Sequence, residues 1–232
     1  FQCHGEDVLH LEIMLGYQHR GVEPLLMHPH PVRAIMAAET IAGDSSIAHA
    51  TAYAGALEGL ADVEPSGRAA MVRAVALELE RLANHVGDLG ALCLDGGYLP
   101  SASYLGRLRG DFLNLTLEVC GNRFGRNLVR TGGVAFDIEP SRAASMRTKL
   151  ETLKKEVLPA LDLMFGSASV LARFEGTGTV SKQVAEEIGL VGPAARASGC
   201  EVDVRHDHPT GAYRFYSIPV ASEPAGDVYA RA

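Results

Sequence analysis

Between Pro65 and Gly97 the sequence leaves little freedom in what it can form. Pro65 and Ser66 punctuate a helix start, and the Ser66 hydroxyl can cap the free N–H groups of a first turn. Val72, Val75, Leu79, Leu82, Val86 and Leu89 then recur at helical spacing and form one apolar stripe. Arg73, Glu80, Arg81 and Asp88 lie largely off it. Gly96 and Gly97 end the segment. A stripe of this length needs other helices to cover it, and the flanking sequence supplies them.

Val32 to Leu60 is mostly small and apolar, which predicts helix packed closely against helix. A further helix is expected from about Tyr104 to Gly121, carrying Leu108, Phe112, Leu115 and Val119. Thr131, Gly132 and Gly133 mark a loop. Pro140 and Ser141 start another long helix with Leu150, Leu153, Val157 and Leu161 on one face. Glu151 and Lys155 are spaced for an i,i+4 pair, and Pro159 is expected to kink or break this helix. After Gly176 the segments shorten to Ser181–Ile188 and Pro193–Ala197. Asp7 to Leu15 and Ala212 to Val220 read as strands. His28, Pro29, His30 and Pro31 interrupt the chain near its start. The fold class is therefore mainly α with small β elements (α+β), a helical bundle with its strands at the two ends of the chain.

Composition narrows the function classes. The chain has 232 residues, 47% of them hydrophobic and 21% charged, enough for one sizeable core, and residues 1–232 read as a single domain. A net charge of -7 gives no global attraction to nucleic acid or anionic lipid, so no nucleic-acid partner is expected. Cys3, Cys93, Cys120 and Cys200 form no CxxC pair, so a zinc or iron–sulfur site made from this chain alone is not expected, and reduced, buried thiols are. No apolar run is long enough to span a bilayer. There is no glycine-rich strand-to-helix turn for a nicotinamide nucleotide, so the chain itself is not expected to bind NADH.

A series of motifs then follows one order. Leu15 to Glu23 reads LGYQHRGVE, Glu39 to His49 reads ETIAGDSSIAH, and Tyr53 to Glu58 reads YAGALE. Leu77 to Gly90 reads LELERLANHVGDLG, and Asn122 to Gly133 contains NRF and RTGG. PAARASG, VRHDHP and GDVYAR follow at Pro193, Val204 and Gly226. Together they resemble the large subunit of energy-converting, membrane-bound [NiFe] hydrogenases and the 49 kDa-type subunit of respiratory complex I, the NADH-quinone oxidoreductase. The resemblance covers nearly the whole chain. It implies a [NiFe] hydrogenase large-subunit-like helical bundle, with the family's N-terminal start and C-terminal part outside this sequence.

The departures carry as much as the matches. Where the hydrogenases have CGxC, which supplies two thiolates to the nickel–iron site, this chain has Ala42 and Ser45. Alanine has no ligand atom, and a serine hydroxyl is a poor substitute for a soft thiolate. Thr40 stands where the hydrogenases have arginine. The family's second cysteine pair belongs beyond Ala232, so no metal is expected on this chain. Loss of the cysteines is also the mark of the complex I branch, where the former metal cavity is similar to a quinone headgroup pocket. The resemblance then implies His19 and Tyr53 as groups that hydrogen-bond the quinone carbonyls and deliver protons, with Asp95 behind the histidine. Electrons would come from an iron–sulfur cluster in a partner subunit.

Each of these residues has a plainer reading. His19 beside Arg20 fits a surface loop, Tyr53 a core phenol, and Asp95 beside two glycines a turn. His28 and His30 fit an exposed proline-rich loop, His85 a packed histidine, and His206, Asp207 and His208 a structural segment. Glu78, Glu80 and Arg81 fit buried ion pairs within the bundle. Two functions follow. One is an electron-transfer subunit of a complex I-like NADH/ferredoxin:quinone oxidoreductase, assembled with an iron–sulfur small subunit and membrane subunits and lying peripherally on the cytoplasmic face of the membrane. The other is a degenerate hydrogenase-like subunit that acts as a non-catalytic scaffold. Apolar patches are expected on its surface, covered by a partner or, in a truncated chain, by self-association.

Overall fold

The computed structural model describes residues 1–28 and 30–232; of the interrupting His-Pro segment, Pro29 lies outside the described residues. The chain opens with a hairpin of β1 (Gln2–His4) and β2 (Asp7–His10), paired antiparallel. A 3-10 turn at Gly16–Gln18 follows, then α1 (Val22–Leu26) and α2 (Pro31–Ala38). The central helices are α3 (Ser46–Ala61), α4 (Gly67–Asp95) and α5 (Leu99–Cys120). A second antiparallel pair, β3 (Val129–Arg130) and β4 (Gly133–Val134), leads into α6 (Pro140–Phe165) and α7 (Ala168–Phe174). Short helices α8 (Lys182–Glu187), α9 (Gly192–Arg196) and α10 (Val204–Asp207), a 3-10 turn at Gly211–Phe215 and α11 (Val228–Arg231) complete the chain.

α4 is the axis of the bundle. Its Ser66 cap accepts the Ala69 N–H at 3.2 Å, where the sequence predicts the helix start. α5 packs along it, α6 packs on α5, and α3 lies on another side. Val72, Leu79 and Val86 of α4 meet Leu105, Leu108, Phe112 and Leu115 of α5 in one continuous core that extends through Leu153 and Met164 of α6. Gly90 sits where a Cβ would come within 3.3 Å of the Leu105 side chain, which lets the two helices approach closely. A small satellite core forms around Ala185, Ala195 and Cys200.

Several expectations need correction. Ala212 to Val220 is a 3-10 turn followed by irregular chain, and the second strand pair lies mid-chain in the RTGG loop, not at the C-terminal end. The strand expected over Asp7 to Leu15 stops at His10. The helix expected over Val32 to Leu60 is two helices broken by residues 39–45. α5 starts five residues before Tyr104, because Pro100 stands in the first turn, where its missing N–H has no intrahelical acceptor to satisfy. Pro159 does not break α6; it lies on the exposed face, where the carbonyl it leaves unpaired meets water. Among the described residues Glu151 and Lys155 form no ion pair, whereas Lys149 pairs with Glu118, and Arg107 with Glu156. Cys3 is exposed; the other three thiols are buried. On α4, Leu82 is exposed, and Arg73 and Glu80, expected off the stripe, are buried on it.

Candidate functional site

Residues 39–45, which hold Ala42 and Ser45, lie between α2 and α3. Four of the sequence motifs meet there. From the first, Arg20 donates through Nη2 to the Ile41 carbonyl. From the long-helix motif, Asn84 donates to the Asp44 carbonyl at 3.1 Å. Glu80, one turn earlier, accepts the Ile47 and Ala48 N–H groups at 2.7 and 3.0 Å. From the NRF segment, the Asn127 N–H donates to the Glu39 carboxylate at 2.7 Å. The segment also closes on itself: Ser46 Oγ donates to the Glu39 carbonyl at 3.0 Å, and Ser45 N–H to Ala42 at 3.1 Å. Gly125 lies against this end of α3 with φ 69°, and a Cβ there would stand 2.2 Å from Ile47 Cδ1.

Ala42 and Ser45 are both half-buried. A methyl and a neutral hydroxyl occupy these two positions, and they do not fit a thiolate-bound nickel–iron group. Among the described residues no three His, Cys, Asp or Glu side chains converge on a point. His206 and Asp207 contact each other at 3.0 Å at an exposed position.

The three residues the sequence singles out are placed differently. His19 is exposed; its N–H closes the 3-10 turn on Gly16, and its neighbour Arg20 reaches the 39–45 segment. Tyr53 is half-buried on α3, two turns beyond Ser46, and packs against the main core. Asp95 is the exposed last residue of α4, eleven residues beyond Asn84. That is a rise of about 16 Å along the helix. The structure therefore brings the His19–Arg20 segment to the substituted loop, sets Tyr53 farther along α3, and does not bring Asp95 to it. His85 is exposed on α4 rather than packed.

An open cleft of about 570 Å3 adjoins the segment on its α2 side, lined by His28, Arg33, Met36, Glu39, Thr40 and Arg126 among others. Burial raises the Glu39 carboxyl above its ordinary range, against the Asn127 N–H and the charges of Arg130 and Arg126, which lower it. The arginines make the cleft mouth suited to carbonyl or anionic groups. None of His19, Tyr53 and Asp95 lines it.

The other motifs serve the frame. Glu58 of the YAGALE segment takes a two-pronged hydrogen bond from Arg73 at 3.0 and 2.7 Å, and the Gly132 N–H at 2.7 Å. Arg73 also donates to the Arg130 and Gly133 carbonyls, which shapes the RTGG loop. Asp203, Arg205, Glu78 and the Tyr213 hydroxyl form a network between α4 and the C-terminal third. The Arg205 guanidinium holds the Asp203 carboxyl well below the usual carboxylate range. Asp227 caps α11 and accepts the Gly176 N–H at 2.7 Å. Of the three charges expected to pair, Glu78 does so, with Arg205 and Arg81, but Glu80 does not. Sequence reasoning missed Glu39, Glu58 and Arg73 as buried groups, and expected of Glu80 a buried ion pair that it does not form. The available signal was spacing: Arg73 and Glu80 lie seven apart and directly follow the stripe residues Val72 and Leu79.

The sequence is similar to known proteins over nearly its whole length. A sequence model of the family described as "Respiratory-chain NADH dehydrogenase, 49 Kd subunit" matches residues 95–232. An NADH-quinone oxidoreductase subunit of Clostridium beijerinckii is 33% identical over 232 residues, which is 100% of this chain and 62% of that protein. An F(420)H(2) dehydrogenase subunit of Methanosarcina mazei is 30% identical over 98% of this chain and 61% of its own length. Membrane-bound hydrogenase subunit alpha of Pyrococcus furiosus is 33% identical over 98% of this chain and 55% of its own length. The chain thus spans somewhat over half the length of these relatives. A match over more than half of the chain, with the motif residues joined into one frame, shows that it belongs to the family of the 49 Kd subunit of respiratory-chain NADH dehydrogenase.

Proposed function

We propose that this chain is the electron-transfer subunit of a complex I-like NADH/ferredoxin:quinone oxidoreductase, with the neighbourhood of residues 39–45 serving as a quinone headgroup pocket. One observation carries the reading. The segment is held by Arg20, Glu80, Asn84 and Asn127, yet the two thiolate positions inside it are Ala42 and Ser45. A kept frame around changed side chains fits a site that has exchanged metal chemistry for another ligand.

Quinone reduction takes two electrons and two protons. In this reading the electrons arrive from an iron–sulfur cluster in a partner subunit, and the chain supplies hydrogen bonds and protons. His19 is the first candidate donor because its neighbour touches the segment. Tyr53 is the second and needs the headgroup to reach two turns along α3. Asp95 is left outside the pocket by its distance. The partners are an iron–sulfur small subunit and membrane subunits. The exposed Leu9, Ile13, Met14, Leu15 and Tyr17 of the N-terminal arm offer apolar surface for such contacts. Among the described residues no single helix is long and apolar enough to cross a membrane, and in this reading attachment to the inner face runs through those partners.

The scaffold reading is favoured by one specific observation: the open cleft beside α2 is lined by neither His19 nor Tyr53. Detergent purification of the native assembly and titration with a short-chain ubiquinone analogue separate the two readings. Co-purifying iron–sulfur and membrane subunits, with binding weakened about tenfold or more in His19→Ala or Tyr53→Phe, support the quinone pocket. An intact assembly that binds no quinone makes the chain a scaffold. In either case the isolated chain is expected to show no saturable NADH binding.

A further inference from the structure

α3 begins without a cap of its own. Its N-cap residue, Ser45, makes no side-chain capping bond. Glu80 performs that task from the neighbouring helix, with one carboxylate oxygen on the Ile47 N–H and the other on the Ala48 N–H. The carboxylate is buried, and among the described residues no lysine, arginine or histidine forms an ion pair with it. The charged groups that act on it are Asp44 from the preceding segment and Arg81 beside it on α4. Two backbone donors are its only hydrogen bonds among the described residues.

We propose that Glu80 is a protonatable positioning residue, a cap lent by α4 to α3, whose charge state sets how firmly residues 42–45 are held. In the carboxylate form both oxygens accept. When one oxygen takes up a proton from solvent it becomes an O–H donor facing an N–H donor, and one of the two bonds is lost. Nothing else is consumed: the bound proton neutralises the carboxylate, and the O–H proton leaves again when the pH rises. Burial pushes this carboxyl up to about 7, with the Ile47 and Ala48 N–H groups pulling it down, Asp44 pushing it up and Arg81 opposing. Both forms are therefore populated near neutral pH. Fraying of the α3 start takes those two donors away while Glu80 stays packed on α4. The frayed form then holds the proton more tightly than the closed one, so acid favours fraying. The device needs no quinone, so it stands or falls separately from the function proposed above.

The test is hydrogen–deuterium exchange of the full-length subunit in its native complex, between about pH 5.5 and 8.5, with rates corrected for their intrinsic pH dependence. The wild type is expected to lose about fivefold of its protection in the peptide covering residues 42–48 as the pH falls through neutrality, the worth of one hydrogen bond. Glu80→Gln, which keeps one acceptor oxygen, is expected to show the low-pH protection at every pH. Glu80→Ala is expected to show less than either. A wild-type peptide whose protection does not change with pH, or a Glu80→Gln peptide that titrates like wild type, overturns the proposal. Where the Glu80→Gln complex fails to assemble, infrared titration of the wild type decides. A protonated-carboxylic-acid band growing in around neutrality supports the proposal, and no such band overturns it.

Discussion

α3 and α4 are tied at two places, each by one glutamate. At one end Glu58 of α3 meets Arg73 of α4; at the other Glu80 of α4 meets the backbone at the start of α3. The two carboxylates are almost equally hidden, at 6% and 8% exposure. Their chemistry is opposite. Burial would raise the Glu58 carboxyl, but the hydrogen bonds from Arg73 and the Gly132 N–H, with the Arg73 charge, bring it below its usual value. Burial dominates at Glu80, and its carboxyl rises to about 7. Two differences set the state of these acids: Glu80 has more protein packed around it and no cation in contact, whereas Glu58 has the Arg73 guanidinium. One tie is a permanent ion pair, and the other is poised.

The strongest way to break this contrast is to remove the guanidinium. Arg73→Ala leaves Glu58 buried without its cation and should cost about 3–5 kcal/mol in urea denaturation. The RTGG loop loses its anchor in the same variant. Next in size is the pH dependence of stability. Glu80 has a folded value above its unfolded one, so between about 4.5 and 7 the folded chain binds the extra proton. Stability from this group is therefore fully present below about pH 4.5. It falls by about 3 kcal/mol as the pH rises from there through 7, a loss that Glu80→Gln should abolish. Global unfolding returns the carboxyl to water, which is why its sign is opposite to that of local fraying. Glu58 runs the other way: its contribution is present at neutral pH and is lost on acidification. Equal pH profiles for Glu80→Gln and wild type would remove the distinction between the two ends.

Smaller effects sharpen it. Gly125→Ala puts a Cβ on a left-handed residue and into Ile47, and should cost about 2 kcal/mol. Combining it with Ile47→Ala should cost less than the sum of the two single changes, if the contact is what matters. At the Arg73 end, Ser66→Ala removes the cap of α4 and should cost about 1 kcal/mol in the same denaturation assay, with no change in the pH profile.

Much of the frame is legible in the amino-acid sequence alone. Ser66 and the Gly96–Gly97 pair bound α4 because capping and chain reversal are local events. The order of the motifs is enough to place the chain in its family. What periodicity cannot see is polarity in the core. Arg73 and Glu80 lie on the buried stripe, and a charged letter reads as solvent-facing unless its partner is known; those partners lie 15 and 33 residues away in sequence. Pro159 misleads for the opposite reason: a helix breaker is harmless on a wet face, and the wet face is set by what packs behind it. Ala42 and Ser45 are legible as an alanine and a serine where the resemblance expects cysteines. That three other motifs converge on their segment is not, because convergence is a property of the packed chain.

The contacts on residues 39–48 share one trait. Apart from the Glu39 carboxylate and the Thr40 and Ser46 hydroxyls, the atoms taken there are peptide oxygens and nitrogens: Ile41 and Asp44 carbonyls, Ile47 and Ala48 amides. Peptide groups are the same whatever side chain they carry. The side chains at positions 42 and 45 are thus not recruited by the surrounding frame, which is indifferent to whether they are sulfur, hydroxyl or methyl. A segment gripped in this way can be re-equipped by one or two substitutions without being refolded. The relatives of this chain carry names as unlike as membrane-bound hydrogenase, F(420)H(2) dehydrogenase and NADH-quinone oxidoreductase.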